Sequence, residues 1–411
     1  MNFSENGRTV SLGIIGLGGR GTGWLKSLLD MKDVRVAGVC DVYEDRVENA
    51  RKLTEAAYGT SPAVAQCYHE LLKNDDIEAF LVFTSWETHI HIAIDCLNAK
   101  RRVGLEVGGA SSIEECWQLV YASERNGVPC MLLENCCYGH DELTVLNMVK
   151  MGLFGEVVHC AGGYQHDLRD EVGNGDTRRH YRQNSFMNRN GELYPTHELG
   201  PIAKVLNVNR GNRMISLSAM ASKAAGLNAW YQVHRRGSGL ENAVVTQGDI
   251  VTTMIKCAHG ESIVLTHDCT LPRPYSRGGR VQGTKGIWME DKHAYYLEEY
   301  MRDTEGNPTH AWTSFDEAYE KYAHPLWQGF VDSGKEGGHG GMDYLVMRAF
   351  IESVQQQTNP PIDVYDAAAW MAVTCLSEQS IAMGGLPVPV PDFTNGLWMC
   401  REDNAVGQYA L

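Results

Sequence analysis

Short apolar runs of strand length alternate with helical segments over the first part of the chain. The apolar runs span residues 10–16, 34–41, 79–84, 102–106 and 129–135. Segments with helical spacing of apolar positions lie between them, at residues 21–31, 43–59, 89–100 and 112–127. Strands that alternate with helices of this length are typical of βαβ units in a parallel sheet. The pattern therefore predicts an α/β fold that begins with a doubly wound parallel sheet.

The pattern changes near residue 136, beyond which predicted strands follow one another. After a helix at residues 141–155, we predict strands at residues 157–166, 213–222, 249–258, 261–270 and 286–298. The chain is completed by a glycine-rich loop at residues 323–341 and by helices at residues 341–357 and 364–384. Consecutive strands favour an α+β domain with a large, mostly antiparallel open sheet.

Charge and composition exclude several classes of function. Lys and Arg total 36 against 51 Asp and Glu, a net charge of −15, so the surface repels phosphate backbones and no nucleic-acid partner is expected. The first ten residues lack the apolar segment of a secretory signal and we find no membrane span, which favours a cytoplasmic protein. The twelve cysteines form no C-x-x-C pair and the histidines no H-E-x-x-H motif, so neither disulfides nor a metal site is predicted.

A glycine fingerprint follows the first predicted strand and opens the first predicted helix. Residues 16–21 read Gly-Leu-Gly-Gly-Arg-Gly, which fits G-x-G-x-x-G, and the next strand ends in Asp41. In this motif Gly16 permits the tight turn, Gly18 lets a pyrophosphate approach the backbone, and Gly21 lets helix and strand pack closely. Asp41 can accept hydrogen bonds from a ribose diol and repels a 2′-phosphate. These features predict a Rossmann domain that binds NAD in preference to NADP.

The later strand ends of a doubly wound sheet line the same crevice as the glycine turn. They carry residues 84–89, 106–108 and 134–135. Trp86 and His89 are thus candidates to contact the cofactor, and the alternative is that they cap the start of a helix. A length of 411 residues also exceeds one ordinary core. We therefore predict an NAD-binding domain at residues 1–135 and a substrate-binding, catalytic and oligomerisation domain at residues 136–411.

The stretch NGELYPTHELGP, at residues 190–201, contains too many helix breakers to predict a simple helix or strand. Within it, Tyr194 and His197 lie on either side of Pro195 and Thr196. Two interpretations remain open at this point. The stretch is either a packed turn or a proline-stiffened turn that directs two polar side chains towards one ligand.

The arrangement of a dinucleotide-binding domain and an open-sheet domain resembles the Gfo/Idh/MocA family of sugar-handling NAD(P) proteins. Six segments are together similar to glycoside hydrolase family 109, the NAD-dependent α-N-acetylgalactosaminidase branch of that family. They are ENCCYG at 134–139, YQHDLR at 164–169, NGELYPTHELGP at 190–201, LPRPYSR at 271–277, QGTKG at 282–286 and GGHGGMDY at 337–344.

The resemblance implies two sets of site residues. Beside Gly16, Gly18 and Gly21, the expected NAD contacts are Gly19, Arg20, Asp41, Trp86, His89, Glu106, Val107 and Asn135. The residues expected to face the sugar are Tyr164, Arg182, Tyr194, His197 and Tyr275, with His166 and His339 in the same pocket. We expect Tyr164 to act at C2 of the sugar and His197 or Tyr194 to handle the C3 hydroxyl proton. His166 and His339 are expected to orient Tyr164 or to assist the leaving oxygen.

The resemblance also implies a reaction. In family 109, NAD takes a hydride from C3 of a terminal N-acetylgalactosaminide and later returns it, while loss of the C2 proton expels the glycosidic oxygen and water adds at C1. Two other functions are retained as alternatives. They are an NAD-dependent sugar dehydrogenase and a non-catalytic NAD-binding sensor. The expected partner is a small-molecule glycoside, and the open sheet of the family implies a homo-oligomer, a dimer or a tetramer.

Three positions depart from the patterns of these families. Most Gfo/Idh/MocA dehydrogenases end the fifth strand in Glu-Lys-Pro, with a lysine that assists proton transfer, whereas this chain has Glu106-Val107-Gly108. The standard dehydrogenase mechanism is therefore not expected. In family 109 a proline usually occupies the position of Gly108, and a small residue that of Glu198. Either change could alter which sugar or anomer is accepted.

Overall fold

The first sheet is parallel, as the sequence pattern predicts. The computed structural model describes residues 7–332, 338–402 and 405–411. The strands of this sheet are β1 (Val10–Ile15), β2 (Val34–Cys40), β3 (Ala63–Ala65), β4 (Ala79–Val82), β5 (Arg102–Leu105) and β6 (Cys130–Leu132). Their order is β3-β2-β1-β4-β5-β6, and every neighbouring pair is parallel. The reversal of strand order beside β1 creates the crevice in which this fold binds nucleotides.

Helices connect these strands. They are α1 (Gly19–Leu29), α2 (Glu44–Tyr58), α3 (Tyr68–Leu71), α4 (His89–Asn98) and α5 (Ile113–Asn126). The four longer helices agree with the predicted segments. β3 and α3 were not predicted, because segments of three and four residues are too short to show a hydrophobic period.

The second sheet has nine strands and is mostly antiparallel. It contains β7 (Val157–Gln165), β8 (Met214–Ala221), β9 (Ile250–Cys257), β10 (Ser262–Asp268), β11 (Arg280–Gly283), β12 (Gly286–Met289), β13 (Ala294–Leu297), β14 (Thr313–Ser314) and β15 (Val388–Pro389). Their order is β14-β13-β12-β11-β7-β10-β9-β8-β15, and only β7 and β10 pair in parallel within the described residues. The predicted fold class is therefore confirmed.

Further helices follow α5 along the chain. They are α6 (His140–Lys150), α7 (Arg169–Gly173), α8 (Gly175–Arg178), α9 (Arg182–Asn188), α10 (Thr196–Val205), α11 (Gly226–His234), α12 (Asp316–Tyr322), α13 (Pro325–Asp332), α14 (Met342–Gln356) and α15 (Val364–Ala382). Short 3-10 segments occur at Asn135–Tyr138, Leu240–Asn242, Gly338–Gly341 and Leu397–Met399. None of the helices in the described ranges is long and apolar enough to cross a membrane.

Two predictions from the sequence are wrong in the second half. The single strand predicted at residues 286–298 is the hairpin β12–β13, because His293 adopts a left-handed backbone conformation that turns the chain. The loop predicted at residues 323–341 contains α13, whose apolar side chains Leu326, Trp327 and Phe330 are buried at helical spacing. Residues 333–337 of that predicted loop lie outside the described residues.

The stretch NGELYPTHELGP is also more regular than predicted, since its second half forms α10. Pro195 precedes the first helical residue, where its missing N–H is not needed. Pro201 removes one hydrogen bond inside the helix, and burial of Leu199 and Ile202 on one side offsets this loss. The packed helix therefore fixes the direction of His197 more firmly than a turn would.

The last long helix, α15, packs against both sheets, and α14 packs against β1 of the first sheet. Leu132 of β6 donates a backbone hydrogen bond to Ile362, and Ala110 donates one to Met371 of α15. The backbone N–H of Ala219 in β8 also donates a hydrogen bond to the hydroxyl of Ser380 in α15. Because α15 contacts both sheets, the domain boundary at residue 135 stays a prediction.

Candidate functional site

The glycine turn has the shape that a dinucleotide site requires. Gly16 has a φ of 95°, and a Cβ there would lie 2.6 Å from the Phe83 backbone. A Cβ on Gly21 would lie 2.0 Å from the carbonyl oxygen of Gly16. A Cβ on Gly19 would meet nothing within 4 Å, so the space beside the start of α1 is open. A pyrophosphate therefore has room at a helix terminus that supplies N–H groups and partial positive charge.

Asp41 lies at the end of β2, where the ribose diol is expected. Its carboxylate accepts backbone hydrogen bonds from Leu17 at 2.7 Å and from Tyr43 at 3.0 Å. Arg46 Nη1 lies 3.6 Å from the same carboxylate. Asp41 therefore stabilises the glycine turn. Its carboxylate oxygens retain lone pairs that can accept hydrogen bonds from ribose hydroxyls.

Trp86 forms a buried wall of the crevice after β4. Its Nε1 and the hydroxyl of Thr84 are buried and have no hydrogen-bond partner among the described residues. Such orphaned polar groups at the carboxyl edge of a parallel sheet fit a bound cofactor. His89 begins α4, and burial lowers its pKa to about 4, so its imidazole is neutral. The alternative was that this segment only caps the start of a helix. Thr88, the residue before α4, does not support it, because its side chain makes no capping hydrogen bond.

Gly108 leaves no space for a side chain. A Cβ at this position would lie 2.3 Å from Trp86 Cδ1 and 3.2 Å from His89 Cε1. The replacement of the usual proline is therefore explained by the position of the Trp86 indole. Val107, where dehydrogenases have lysine, is buried and supplies no amine.

Three rings form a cluster between the two sheets. Tyr164 comes from the end of β7, Tyr194 from the segment before α10, and His197 from its first turn. The Tyr164 ring centroid lies 4.5 Å from that of Tyr194 and 5.4 Å from that of His197, and Tyr194 and His197 are 4.7 Å apart. The Trp86 centroid lies 5.5 Å from Tyr194, which joins this cluster to the cofactor crevice. The structure thus brings together residues that are distant in sequence.

His197 is held by a buried carboxylate. Its Nδ1 hydrogen-bonds Glu134 Oε1 at 2.8 Å, and Glu134 is fully buried at the end of β6. Although burial opposes ionisation, the His197 imidazole and further hydrogen bonds hold the pKa of Glu134 below its usual value. The carboxylate therefore fixes the ring orientation and leaves Nε2 as the nitrogen that can exchange a proton.

Glu134, Cys136 and His197 also place possible metal-ligand atoms within 4.8 Å of one another. The Cys136 sulfur already accepts a hydrogen bond from Arg277 at 3.0 Å. Burial raises the pKa of Cys136 well above its usual value, which disfavours the thiolate that a metal requires. We therefore interpret this group as a hydrogen-bonded cluster.

Tyr164 has two polar neighbours. Its hydroxyl lies 3.2 Å from His166 Nδ1, and burial lowers the pKa of His166, so the neutral ring can accept the phenol proton. The Cζ atom of Arg182 lies 6.0 Å from the centroid of the Tyr164 ring and 5.1 Å from that of Tyr194. Arg182 Nη1 also forms an ion pair with Glu171 Oε1 at 3.0 Å. Burial raises the pKa of Tyr164, which makes it a neutral phenol before substrate binds.

Tyr275 and His339 lie at different places in the site. The half-exposed Tyr275 ring lies 5.1 Å from His166 and 6.3 Å from Tyr164. His339 Nδ1 instead contacts Asp343 at 2.8 Å and Arg20 at 3.5 Å. His166 is therefore the histidine that contacts Tyr164, and His339 accompanies the nucleotide turn.

Glu198 points away from the ring cluster. It is 2% exposed, and a Cβ on Gly162 of β7 would lie 1.7 Å from its Cγ. Its Oε2 lies 3.9 Å from Arg277 Nε, and Glu290 Oε1 lies 3.7 Å from the same nitrogen. Burial, followed by the charge of Glu290, raises the pKa of Glu198 well above its usual range. Because the helix turns by about 100° per residue, His197 faces the pocket while Glu198 enters a buried cluster behind it.

Several residues that border the site were not among the predicted site residues. The sequence could have indicated Glu134 and Asp343. Glu134 is one of the strand-end residues that were expected to line the crevice, and Asp343 lies within the GGHGGMDY motif. Glu171 binds Arg182, and the Tyr181 centroid lies 5.1 Å from Trp86. No sequence motif indicated Glu171 or Tyr181. They reach the site because α7 and α9, two short helices that were not predicted, place them there.

Comparison with known proteins agrees with this geometry. The family "Oxidoreductase family, NAD-binding Rossmann fold" matches residues 10–133, and "Glycosyl hydrolase 109, C-terminal domain" matches residues 138–400. The chain is 39% identical to a protein of Tannerella forsythia named alpha-N-acetylgalactosaminidase, over 96% of this chain and 88% of the relative. It is 40% identical to a glycosyl hydrolase family 109 protein of Stenotrophomonas maltophilia, over 96% of this chain and 91% of the relative.

Solved structures share the fold at low sequence identity. An NAD-binding oxidoreductase from Klebsiella pneumoniae superposes with a TM-score of 0.71 at 16% identity, over 93% of this chain and 99% of that one. A scyllo-inositol dehydrogenase from Lactobacillus casei, solved with bound NAD(H) and scyllo-inositol, gives 0.64 at 14% identity over 93% and 99%. The chain therefore belongs to glycoside hydrolase family 109, and it is a glycoside hydrolase that contains an NAD-binding Rossmann-fold domain.

Proposed function

We propose that this enzyme hydrolyses terminal N-acetylgalactosaminides, or close relatives of them, through transient oxidation of the sugar. The observation that carries the proposal is the cluster of Tyr164, Tyr194 and His197 beside Trp86 in the cofactor crevice. Ordinary glycosidases place two carboxylates on either side of the bond that is cleaved, and NAD-dependent families are an exception. The name of the Tannerella forsythia relative supports the choice of sugar.

Bound NAD would supply reversible hydride transfer at C3 of the sugar, which makes the neighbouring C2 proton acidic. Tyr164 removes that proton while its own phenol proton passes to His166 Nδ1, 3.2 Å away. Burial lowers the pKa of His166, which keeps its ring neutral and leaves Nδ1 a lone pair for this proton. The electron pair from C2 then expels the glycosidic oxygen, which takes the proton held by His166. Water adds at C1 and its released proton replaces the one lost from His166, while Tyr164, whose hydroxyl exchanges with solvent, delivers a proton to C2.

The C3 hydroxyl requires its own acid–base group. We assign this role to His197, because Glu134 fixes its Nδ1 and leaves Nε2 free for the substrate. Tyr194 lies between His197 and Trp86 and orients the hydroxyl. Arg182 and Tyr275 are proposed to bind other sugar hydroxyls or the N-acetyl group. The positive charge of Arg182 also stabilises the negative charge that develops at C2.

The alternative function is an NAD-dependent sugar dehydrogenase, which shares the fold and the hydride step. It is disfavoured because Val107 occupies the position of the lysine that assists proton transfer in those enzymes. A dehydrogenase produces NADH in amounts equal to the sugar consumed. The proposed hydrolase returns the hydride and produces none.

Release of nitrophenol from 4-nitrophenyl N-acetyl-α-galactosaminide tests the proposal. Purified enzyme should release nitrophenol without added NAD, and reaction in D₂O should place deuterium at C2 of the product. Net formation of NADH without nitrophenol would favour the dehydrogenase. Absence of both nitrophenol and C2 exchange, for both anomers and several sugars, rules the proposal out.

We further propose that the open face of the second sheet packs against another copy of the chain. Met220 and Met254 are 69% and 58% exposed on β8 and β9, and Met254 is paired with Val264 of β10. Substitution of both methionines with glutamate should convert the oligomer to a monomer in light scattering. Glutamate at Met399, which is equally exposed outside this sheet, is the control.

A further inference from the structure

Asp343 connects three parts of the nucleotide crevice. Its Oδ2 accepts hydrogen bonds from Arg20 Nη1 at 2.8 Å and His339 Nδ1 at 2.8 Å. Its Oδ1 accepts hydrogen bonds from Arg20 Nη2 at 3.0 Å and Asn135 Nδ2 at 2.8 Å. Arg20 Nε in turn lies 3.5 Å from Glu106. One buried carboxylate thus joins the glycine turn, the end of β6 and the segment that begins α14.

These partners lie at the carboxyl edge of the parallel sheet, where dinucleotides bind in this fold. Arg20 belongs to the glycine fingerprint, Asn135 follows β6, and Glu106 follows β5. Asp343 itself comes from the far end of the chain and has no role in the proposed reaction. The contact therefore connects the second half of the molecule to the cofactor crevice on its nucleotide side.

The backbone before α14 adopts an unusual conformation at this contact. His339, Gly340 and Gly341 have φ values of 49°, 67° and 109°. A left-handed histidine costs free energy that surrounding contacts have to offset, and such residues cluster at functional sites. Here the hydrogen bond from His339 to Asp343 is the contact that accompanies the strained residue.

We propose that Asp343 is a positioning residue that retains NAD, by holding Arg20, Asn135 and His339 together at the entrance of the crevice. The inference rests on the proposed function, in which the hydride taken from a sugar returns to the same sugar. If NADH left during that interval, the enzyme would be left with a keto sugar that it could not reduce. Slow release of the cofactor is therefore an advantage that an ordinary dehydrogenase, which must exchange its cofactor, does not have.

A second ion pair on the same helix provides a matched control. Arg348 of α14 binds Asp33 in two hydrogen bonds of 2.7 and 2.9 Å, and both side chains are buried. Asp33 precedes β2, at the amino edge of the sheet and away from the crevice. Asp33→Asn therefore weakens the attachment of α14 to the first sheet without touching the proposed entrance.

The experiment measures exchange of bound NAD⁺ for radiolabelled NAD⁺ in the purified enzyme. Asp343→Asn and Arg20→Gln should each accelerate dissociation about tenfold, and the double variant should be no faster than either single variant, since the two residues act through one contact. Asp33→Asn should leave the dissociation rate unchanged. Circular dichroism melting identifies any variant that fails to fold. If Asp343→Asn fails to fold, Asp343→Glu, which keeps the charge but displaces the carboxylate from its partners, carries the test.

The inference is overturned if Asp343→Asn releases NAD⁺ at the rate of the unaltered enzyme or more slowly, whatever the rate for Arg20→Gln. It is also overturned if Asp33→Asn accelerates release as much as Asp343→Asn, because loosening of α14 would then explain the effect. The measurement needs no substrate. Failure of the nitrophenyl assay therefore refutes the proposed reaction, whereas failure here refutes only the role of Asp343.

Discussion

Substitution of Gly108 with alanine should damage both the cofactor site and the sugar site through one side chain. The added Cβ would lie 2.3 Å from Trp86 Cδ1 and 2.4 Å from Nε1, so the indole has to move by about 1 Å to restore ordinary contact. Overpacking of this kind costs about 1–3 kcal/mol. The Trp86 ring lies 5.1 Å from Tyr181 and 5.5 Å from Tyr194, so the displacement reaches the ring cluster.

The effect on catalysis should be larger than the effect on stability. A misplacement of about 1 Å can reduce catalysis about a hundredfold. We therefore expect Gly108→Ala to lower kcat/KM for the nitrophenyl substrate by about two orders of magnitude and to lower the urea midpoint. Gly23→Ala is the control, because a Cβ on this exposed residue of α1 meets nothing within 4 Å. That variant should be at least as stable as the unaltered enzyme and fully active.

A Gly108→Ala enzyme with unchanged kcat/KM and an unchanged urea midpoint would refute the prediction that a Cβ at position 108 displaces Trp86. Such a result would mean that Trp86 is free to move, and that the glycine does not reflect the position of the indole. A lower urea midpoint with unchanged kcat/KM would separate the effect on stability from the effect on catalysis. It would show that Trp86 packs in the crevice without positioning the sugar site.

Three further predictions concern charge, proton transfer and cofactor choice. Burial raises the pKa of Glu142 to about 7, although the charge of Arg277 opposes the rise, so this group favours folding at low pH. Its contribution, at most about 3 kcal/mol, should be lost as pH rises from about 4.5 to above 7, and urea denaturation of Glu142→Gln should show a weaker pH dependence. Tyr164→Phe should abolish deuterium incorporation at C2, measured by NMR of the product, while NAD stays bound; retained exchange would exclude Tyr164 as the base. Asp41→Ala should reduce the ratio of NAD to NADP affinity at least about tenfold in fluorescence titrations, and an unchanged ratio would contradict the assignment of Asp41.

The parts of the fold that follow from local sequence pattern were predictable. Buried parallel strands and the glycine turn each show their signal within about 15 residues, and the turn predicts a nucleotide crevice because its geometry requires those glycines. The α10 helix was missed because Pro195 and Pro201 are unfavourable locally. Burial of Leu199 and Ile202, which depends on distant parts of the chain, outweighs that preference.

The sequence indicated which residues belong to the candidate site, but not which side chains they contact. The resemblance indicated His197 and His339 as members of one pocket, but only the structure shows that Glu134 holds the first and Asp343 the second. The position of Glu198 was equally inaccessible, because adjacent helical residues face different directions once the helix axis is fixed. The pairing of His197 with Glu134 joins residues that are 63 positions apart.

The two C-terminal helices have a consequence for the order in which this protein can fold during synthesis. The parallel sheet is complete once residue 132 has been made, yet Leu132 and Ala110 bond to Ile362 and Met371. α15 is buried around most of its circumference, and Trp370 is fully inaccessible to solvent. The first third of the chain therefore keeps part of its apolar surface uncovered until α15 has left the ribosome. A fragment that ends at the first sheet lacks part of its own core.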